Sequence, residues 1–277
     1  MPGRMLGWLA SGVALLFCIS PLARAQADVP NKAQVMQQIR MLYYTPTTAG
    51  LQSVSCSVAV DWHGVIQDAS AGKPVSDTDP RLLYLNKIKI SFTASLDGTS
   101  DIEWLAPSTD YPGGAAAMAQ MESGIKKMLA GYFQTWAGFL NGTIFPQPAG
   151  DYHLVPVSDG FRMTLVQGTT SIDATLASDY KLKDYHVKTS AFDVDMIPSF
   201  EKTPKGLIFT GYEADYRTGS SVPAHVSLTS QDQQVSGYYL PSTFHMAVLN
   251  VGQFDFTFKD CTVNGNLPAA SVPAGVQ

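Results

Sequence analysis

The stretch Leu51-Gln52-Ser53-Val54-Ser55-Cys56-Ser57-Val58-Ala59-Val60-Asp61-Trp62 alternates along its whole length. Val54, Cys56, Val58, Val60 and Trp62 share one face, and Ser53, Ser55, Ser57, Ala59 and Asp61 share the other. A period of two with one apolar face is the mark of a half-buried strand in an antiparallel sheet. His63 then reads as a strand-end residue, and the polar stretch Gln67 to Pro80, with two prolines, reads as a loop. Beyond it, Ile88, Ile90, Phe92, Ala94 and Leu96 alternate with Lys87, Lys89, Ser91 and Thr93, and Asp97-Gly98 signals a hairpin into Ile102-Glu103-Trp104. On the N-terminal side, Val35, Ile39, Leu42 and Tyr43 recur at helical spacing over residues 31–44, with Asn31 as the expected cap and Thr45-Pro46 as the stop.

Residues 115–140 break the strand rhythm. At 100° per residue, Met118, Met121, Ile125, Met128, Leu129, Tyr132, Phe133, Trp136, Phe139 and Leu140 fall in one arc of about 140°. The spacing predicts a helix about 39 Å long, with Glu122 and Lys126 placed to pair at i,i+4. Gly124, Gly131 and Gly138 recur every seven residues on a separate stripe. Each glycine costs a helix interior about 1 kcal/mol, so the stripe marks either close approach by a neighbouring backbone or simple tolerance.

From Asp151 the strand pattern returns over Tyr152–Val157, Phe161–Val166, Ser171–Leu176, Tyr180–Lys188, Gly206–Tyr216, Ala224–Thr229, Tyr238–Val248 and Gln253–Val263. Turn signals at Asp159-Gly160, Gly168, Thr218-Gly219 and Val251-Gly252 separate them. Strands at about ten-residue spacing, with one early helix and one long interruption, predict an α+β fold: a large curved antiparallel sheet with helices on one side. No linker divides residues 28–265, and the tail 266–277, with Pro268 and Pro273, reads as disordered.

The 277 residues carry 18 Lys+Arg against 23 Asp+Glu, a net charge of −5, and only 15% charged residues. That composition excludes a disordered chain and, lacking a basic stripe, a nucleic-acid binder. The first residues have the layout of a cleaved export signal. Arg4 precedes the apolar run Met5 to Ile19, Pro21 breaks it, and the small-residue sites Ala23-Arg24-Ala25 and Ala25-Gln26-Ala27 follow. The expected leader is 1–27, the rival being an uncleaved anchor. Cys18 lies inside the run after Phe17, a setting unlike that of a lipidated cysteine. Cys56 and Cys261 remain, an even pair that reads as a disulfide in an oxidising, periplasmic or extracellular compartment; two buried thiols are the alternative.

No strong catalytic or metal motif is present. His63, His153, His186, His225 and His245 show no ligand spacing, so neither a metal nor a cofactor is expected. Ser123-Gly124-Ile125-Lys126 has the S-x-x-K spacing of penicillin-binding enzymes, with Ser158-Asp159-Gly160 and Lys188-Thr189-Ser190 following in order. Those enzymes hold the serine at a helix start, whereas Ser123 lies inside the predicted helix on its polar side. A serine hydrolase is therefore the least favoured reading, and the chain is expected not to be an enzyme. Asp193 and Asp195 read as a solvated strand face or loop, and Asn141-Gly142-Thr143 as a helix stop that is also a formal glycosylation sequon.

What remains is apolar. The helix offers Met118, Met121, Ile125, Met128, Tyr132 and Trp136, and the strands offer Trp62, Phe92, Trp104, Phe244 and Met246. These are the candidate ligand-binding residues, for a lipid or other hydrophobic small molecule. The bland alternative is an ordinary core between helix and sheet, and the ligand reading needs open space between residues 115–140 and the sheet.

The order of elements carries a resemblance. An early helix with Tyr43-Tyr44 precedes Leu51-Gln52-Ser53-Val54, and the end of the chain reads Gly237-Tyr238-Tyr239-Leu240-Pro241, then Asn250-Val251-Gly252-Gln253, then Phe256-Thr257-Phe258-Lys259-Asp260-Cys261-Thr262-Val263-Asn264. This resembles the periplasmic lipoprotein-carrier superfamily that includes LolA, LolB and the mycobacterial LppX group. The resemblance implies an unclosed β-barrel wrapping helices around a cavity for acyl chains. LolA latches its lid helix with an arginine on an early strand, and Leu51–Trp62 contains none. Two function classes result: an exported, non-enzymatic carrier of a hydrophobic ligand, or an interaction or sensor module on the same fold whose partner is an envelope protein.

Overall fold

The computed structural model describes residues 29–70, 72–96, 99–218 and 223–265. The expected leader, the Asp97-Gly98 turn and the tail 266–277 lie outside the described residues. The secondary structure runs α1 (Lys32–Leu42), β1 (Ser53–Val60), α2 (Trp62–Ala69), α3 (Pro80–Leu85), β2 (Lys89–Ser95), β3 (Ser100–Leu105) and α4 (Ala115–Leu140). Among the described residues, nine strands follow without another helix: β4 (His153–Val157), β5 (Gly160–Gln167), β6 (Thr170–Ala177), β7 (Leu182–Lys188), β8 (Asp193–Thr203), β9 (Gly206–Arg217), β10 (Ala224–Val235), β11 (Tyr238–Val248) and β12 (Gly252–Val263).

All twelve strands form one antiparallel sheet in the order β3-β2-β1-β12-β11-β10-β9-β8-β7-β6-β5-β4. Its edges, β3 and β4, do not pair with each other, so the sheet is not closed into a barrel. The last strand returns to the first, with Val54 opposite Val263 and Val60 opposite Phe256. Bulges help such a wide sheet to bend. At one of them Ser199 faces Gly211 and Phe200 faces Phe209, leaving Thr210 extra. Gly211 there has φ 144°, and a Cβ on it would sit 2.0 Å from the Leu228 carbonyl oxygen, so no larger residue fits.

Helix α4 lies across the inner face. Phe133 stacks on Phe92 of β2 with ring centroids 3.6 Å apart, Tyr132 on Phe244 of β11 at 4.3 Å, and Phe139 on Phe209 of β9 at 4.3 Å. One helix thus ties both halves of the sheet into a single core. Helix α1 buries Met36 and Ile39 completely. Arg40, at its end, donates from Nη1 to the carbonyls of Gly142 and Phe145, both at 2.7 Å, fastening the chain that leaves α4.

Several local expectations need correction. The first strand stops at Val60, and Trp62 and His63 open helix α2. Asp61 accepts hydrogen bonds from the His63 and Gly64 backbone and so starts a helix where the alternation continued. The expected loop Gln67 to Pro80 holds the end of α2 and leads into α3, which Asp79 caps and Pro80 opens. Asn31 does not cap α1, because its backbone is left-handed at φ 57° and its side chain makes no cap bond. Asp193 and Asp195 lie on a strand face, one of their two expected settings, but the strand that carries them, β8, was not expected from alternation.

Candidate ligand groove

The centre of the apolar face of α4 is tightly packed against the sheet. Ile125, Leu129, Tyr132, Phe133 and Trp136 are at most 1% exposed, and the sheet residues beneath them are filled just as tightly. The open space lies beside that face, on the glycine side of the helix. A Cβ built on Gly124 or on Gly131 meets nothing within 4 Å, and one on Gly138 meets Ile144 Cγ2 at 3.4 Å. No neighbouring element approaches Gly124 or Gly131 closely. At Gly131 and Gly138 the missing side chains instead leave a groove between α4 and the inner face of the sheet.

The groove has a volume of about 610 Å3. Gly131, Gln134, Thr135, Gly138 and Phe139 form its helical wall, with Ile144 just beyond the helix. Tyr185 and Val187 of β7, Phe192 of the following turn, Val194 and Met196 of β8, and Tyr216 and Thr218 at the end of β9 form the other. A second hollow of about 270 Å3 shares Gly131 and Tyr216 with it and adds Lys127, Met128, Tyr132, Tyr212, Val226 and Met246. The ladder explains this assembly: Val194 faces Tyr216 and Met196 faces Ala214, so alternate residues of adjacent strands project inward together.

Polar groups are few: Gln134, Thr135, Tyr185 and Thr218 border the groove, Tyr212 the smaller hollow, and Tyr216 both. The Tyr216 hydroxyl donates to the Tyr212 hydroxyl at 3.4 Å, and burial raises the pKa of both phenols. Burial pushes Tyr185 up to about 12. All three phenols are therefore neutral hydrogen-bonding groups at physiological pH. Deeper in, the Tyr132 and Ser230 hydroxyls are buried beside each other, with no hydrogen bond of ordinary geometry joining them.

Of the residues singled out from sequence, Met128, Tyr132 and Met246 line the smaller hollow. Phe92, Ile125, Trp136 and Phe244 are interior packing residues that border neither space. Trp62 of α2 and Trp104 of β3 pack edge to face at 6.0 Å, and Met118 and Met121 lie half-buried on the first turns of α4. Sequence reasoning missed Val194 and Met196 because β8 was not recognised, and Phe192 with them in the turn before it; Tyr185 and Val187 lie on β7, a strand that was expected but was not linked to the helix. The seven-residue glycine stripe was the available signal for this side of the helix.

Other constellations are occupied or dispersed. Ser123 is exposed on α4, and Lys126 Nζ lies 2.8 Å from Glu122 Oε1, the expected i,i+4 pair. On the outer face, His186, Asp193 and Asp195 bring ligand atoms within 4.8 Å of one another. Arg217 Nη1 sits 3.2 Å from Asp193 and 2.8 Å from Asp195, so a guanidinium already balances these carboxylates. The His186 and Arg217 hydrogen bonds hold the Asp195 carboxyl below its ordinary range. Cys56 and Cys261 form the disulfide expected between the first and last strands. Such a bond is consistent with an oxidising, exported location. Among the described residues, no helix is long and apolar enough to cross a membrane.

No family model and no curated protein matches the chain. Among solved structures, it is similar to a DUF1329 family protein from Desulfovibrio piger, at 12% identity and a TM-score of 0.29, over 86% of this chain and 92% of that one.

Proposed function

We propose that the chain is an exported, non-enzymatic binder or carrier of a hydrophobic ligand, and that an acyl chain or similar molecule lies in the groove beside α4. The observation that carries this reading is the groove itself. Its walls are Phe139, Ile144, Val187, Phe192, Val194 and Met196, with a few hydroxyl and amide groups, and its volume of about 610 Å3 falls in the range of small-molecule sites. The disulfide and the leader-like first residues support an oxidising compartment, which we take to be the periplasm. The resemblance to lipoprotein carriers agrees with both.

The test uses delipidated protein and a fluorescent fatty acid. Saturable uptake, abolished by Gly131→Leu, which places a side chain in the groove, supports the proposal. Absence of uptake, together with absence of lipid in solvent extracts of the purified protein, rejects it. The rival reading is an interaction module for an envelope protein. The solid packing of Phe92, Phe133 and Phe244 favours it, since the core beneath the apolar helix face is complete without a guest.

A further inference from the structure

The two rims of the sheet differ in chemistry. The β4–β5, β6–β7, β8–β9 and β10–β11 turns all lie on one rim, because the strands meander antiparallel. Their tips are polar: Ser158-Asp159, Ser178-Asp179, Pro204-Lys205 and Ser236-Gly237. The β5–β6, β7–β8 and β11–β12 turns lie on the opposite rim, where β3 and β9 also end. That rim carries Leu105, Val166, Phe192, Leu249 and Val251, which are 54%, 73%, 39%, 62% and 67% exposed.

Two of these sites are held by turn geometry. Thr189 Oγ1 accepts from the Ala191 and Phe192 backbone amides and fixes the turn that presents Phe192. Val251 N donates to the Val248 carbonyl, with Asn250 left-handed at φ 64°, so that Leu249 and Val251 flank a tight tip. The two tips stand four strands apart, roughly 19 Å at 4.8 Å per strand. Between them lies the end of the groove, lined by Phe192 and Thr218. Lys89 faces Leu105 in the β2–β3 ladder, and Lys188, 64% exposed, ends the strand before Phe192 with its Nζ 4.0 Å from Asp193 Oδ2.

We propose that this rim is a membrane-contact surface, with Phe192, Leu249 and Val251 entering the interface of a bilayer that contains anionic lipid. Apolar side chains on separate fixed tips suit a fluid surface, which needs no matching relief, and the exposed Lys89 complements anionic headgroups. The contact would set the groove end against the acyl layer. The inference rests on the ligand reading above, but it is measured separately.

The experiment is co-sedimentation of the full chain with vesicles of phosphatidylglycerol and phosphatidylcholine, beside uptake of a fluorescent fatty acid. Wild type should sediment with the mixed vesicles, and less in high salt. Phe192→Ser and the double variant Leu249→Ser/Val251→Ser should each lower partitioning about tenfold, given the apolar area withdrawn from lipid. Both should keep the circular dichroism spectrum, and the tip double variant should keep fatty-acid uptake. Wild type staying in the supernatant, or rim variants sedimenting like wild type, overturns the membrane surface. Vesicle binding that depends on the rim in a protein with no fatty-acid uptake supports the surface and rejects the groove reading alone.

Discussion

Cys56 and Cys261 are joined across β1 and β12, 205 positions apart in the chain, at a slip in the ladder. Ser55 faces Thr262 and Ser57 faces Lys259, so Cys56 alone stands opposite both Asp260 and Cys261. The bond closes nearly the whole domain into a loop at the seam where its first and last strands meet. In the chain-entropy account, a loop of this size restricts the unfolded state by up to about 5 kcal/mol. The double variant Cys56→Ala/Cys261→Ala should therefore lose about 2–5 kcal/mol in urea denaturation. A midpoint unchanged from wild type would show that the seam is held by the ladder and by packing alone.

Arg40 is the second long-range tie. Its Nη1 donates to the Gly142 and Phe145 carbonyls at 2.7 Å and to the Pro146 carbonyl at 3.4 Å, linking α1 to the chain leaving α4. Burial lowers the pKa of the guanidinium, a sign that it is held by these carbonyls at some cost in hydration. Arg40→Met keeps much of the stem and removes the donors. It should cost about 2–3 kcal/mol, and amide exchange should quicken over residues 138–146 while the centre of α4 stays protected. Equal exchange in both proteins would mean that the tie is dispensable.

The long elements were legible because each is periodic over many residues. Helix α4 begins at Ala115 and ends at Leu140, as the 3.6-residue pattern and Asn141-Gly142 predict. Strands β11 and β9 likewise start where the alternation and turn residues place them. The failures have local causes. Trp62 is buried, as an apolar residue on the strand face would be, so alternation ran on through the Asp61 cap. Strand β8 carries Pro198, which argues against a central strand. It is tolerated because the β7 pairing runs only from Lys188–Asp193 to Tyr185–Met196, so Pro198 pairs with β9 alone. The groove was invisible in part for a related reason: Val194 and Met196 of its sheet wall come from that strand, and its helical wall is the glycine side of α4, which carries no apolar periodicity.

Gly131 separates stability from ligand capacity. Its added Cβ would meet nothing within 4 Å, and its place in the interior of α4 forgoes helix propensity. Gly131→Ala should raise stability by about 0.5–1 kcal/mol while leaving fatty-acid uptake nearly intact. Gly131→Leu should be at least as stable but lose uptake. If both variants are destabilised in thermal melts, the space beside α4 is filled in solution.

Asp232 should make the protein lose stability between weakly acidic and neutral pH. It lies on β10 opposite Pro241, which offers no amide proton. Burial, reinforced by the nearby Glu201 charge, pushes its carboxyl up to about 7. An unfolded aspartate titrates near 3.9, so over the interval between these values the folded chain holds a proton that the unfolded chain has released. Stability from this group is therefore full below about pH 4 and declines as pH rises through 7, by at most about 4 kcal/mol and by less where solvent reaches the carboxyl. The exposed His225, raised by Asp215 and then by Glu213, contributes with the same sign. The comparison must therefore be between proteins rather than between pH values alone. Asp79, held at about 2 by its Arg81 hydrogen bonds, stays ionised throughout this window. Asp232→Asn should accordingly narrow the difference in melting temperature between pH 5 and pH 8 and be the more stable protein at pH 8. Parallel melting curves for the two proteins across that range would place the Asp232 carboxyl in solvent, at its ordinary pKa.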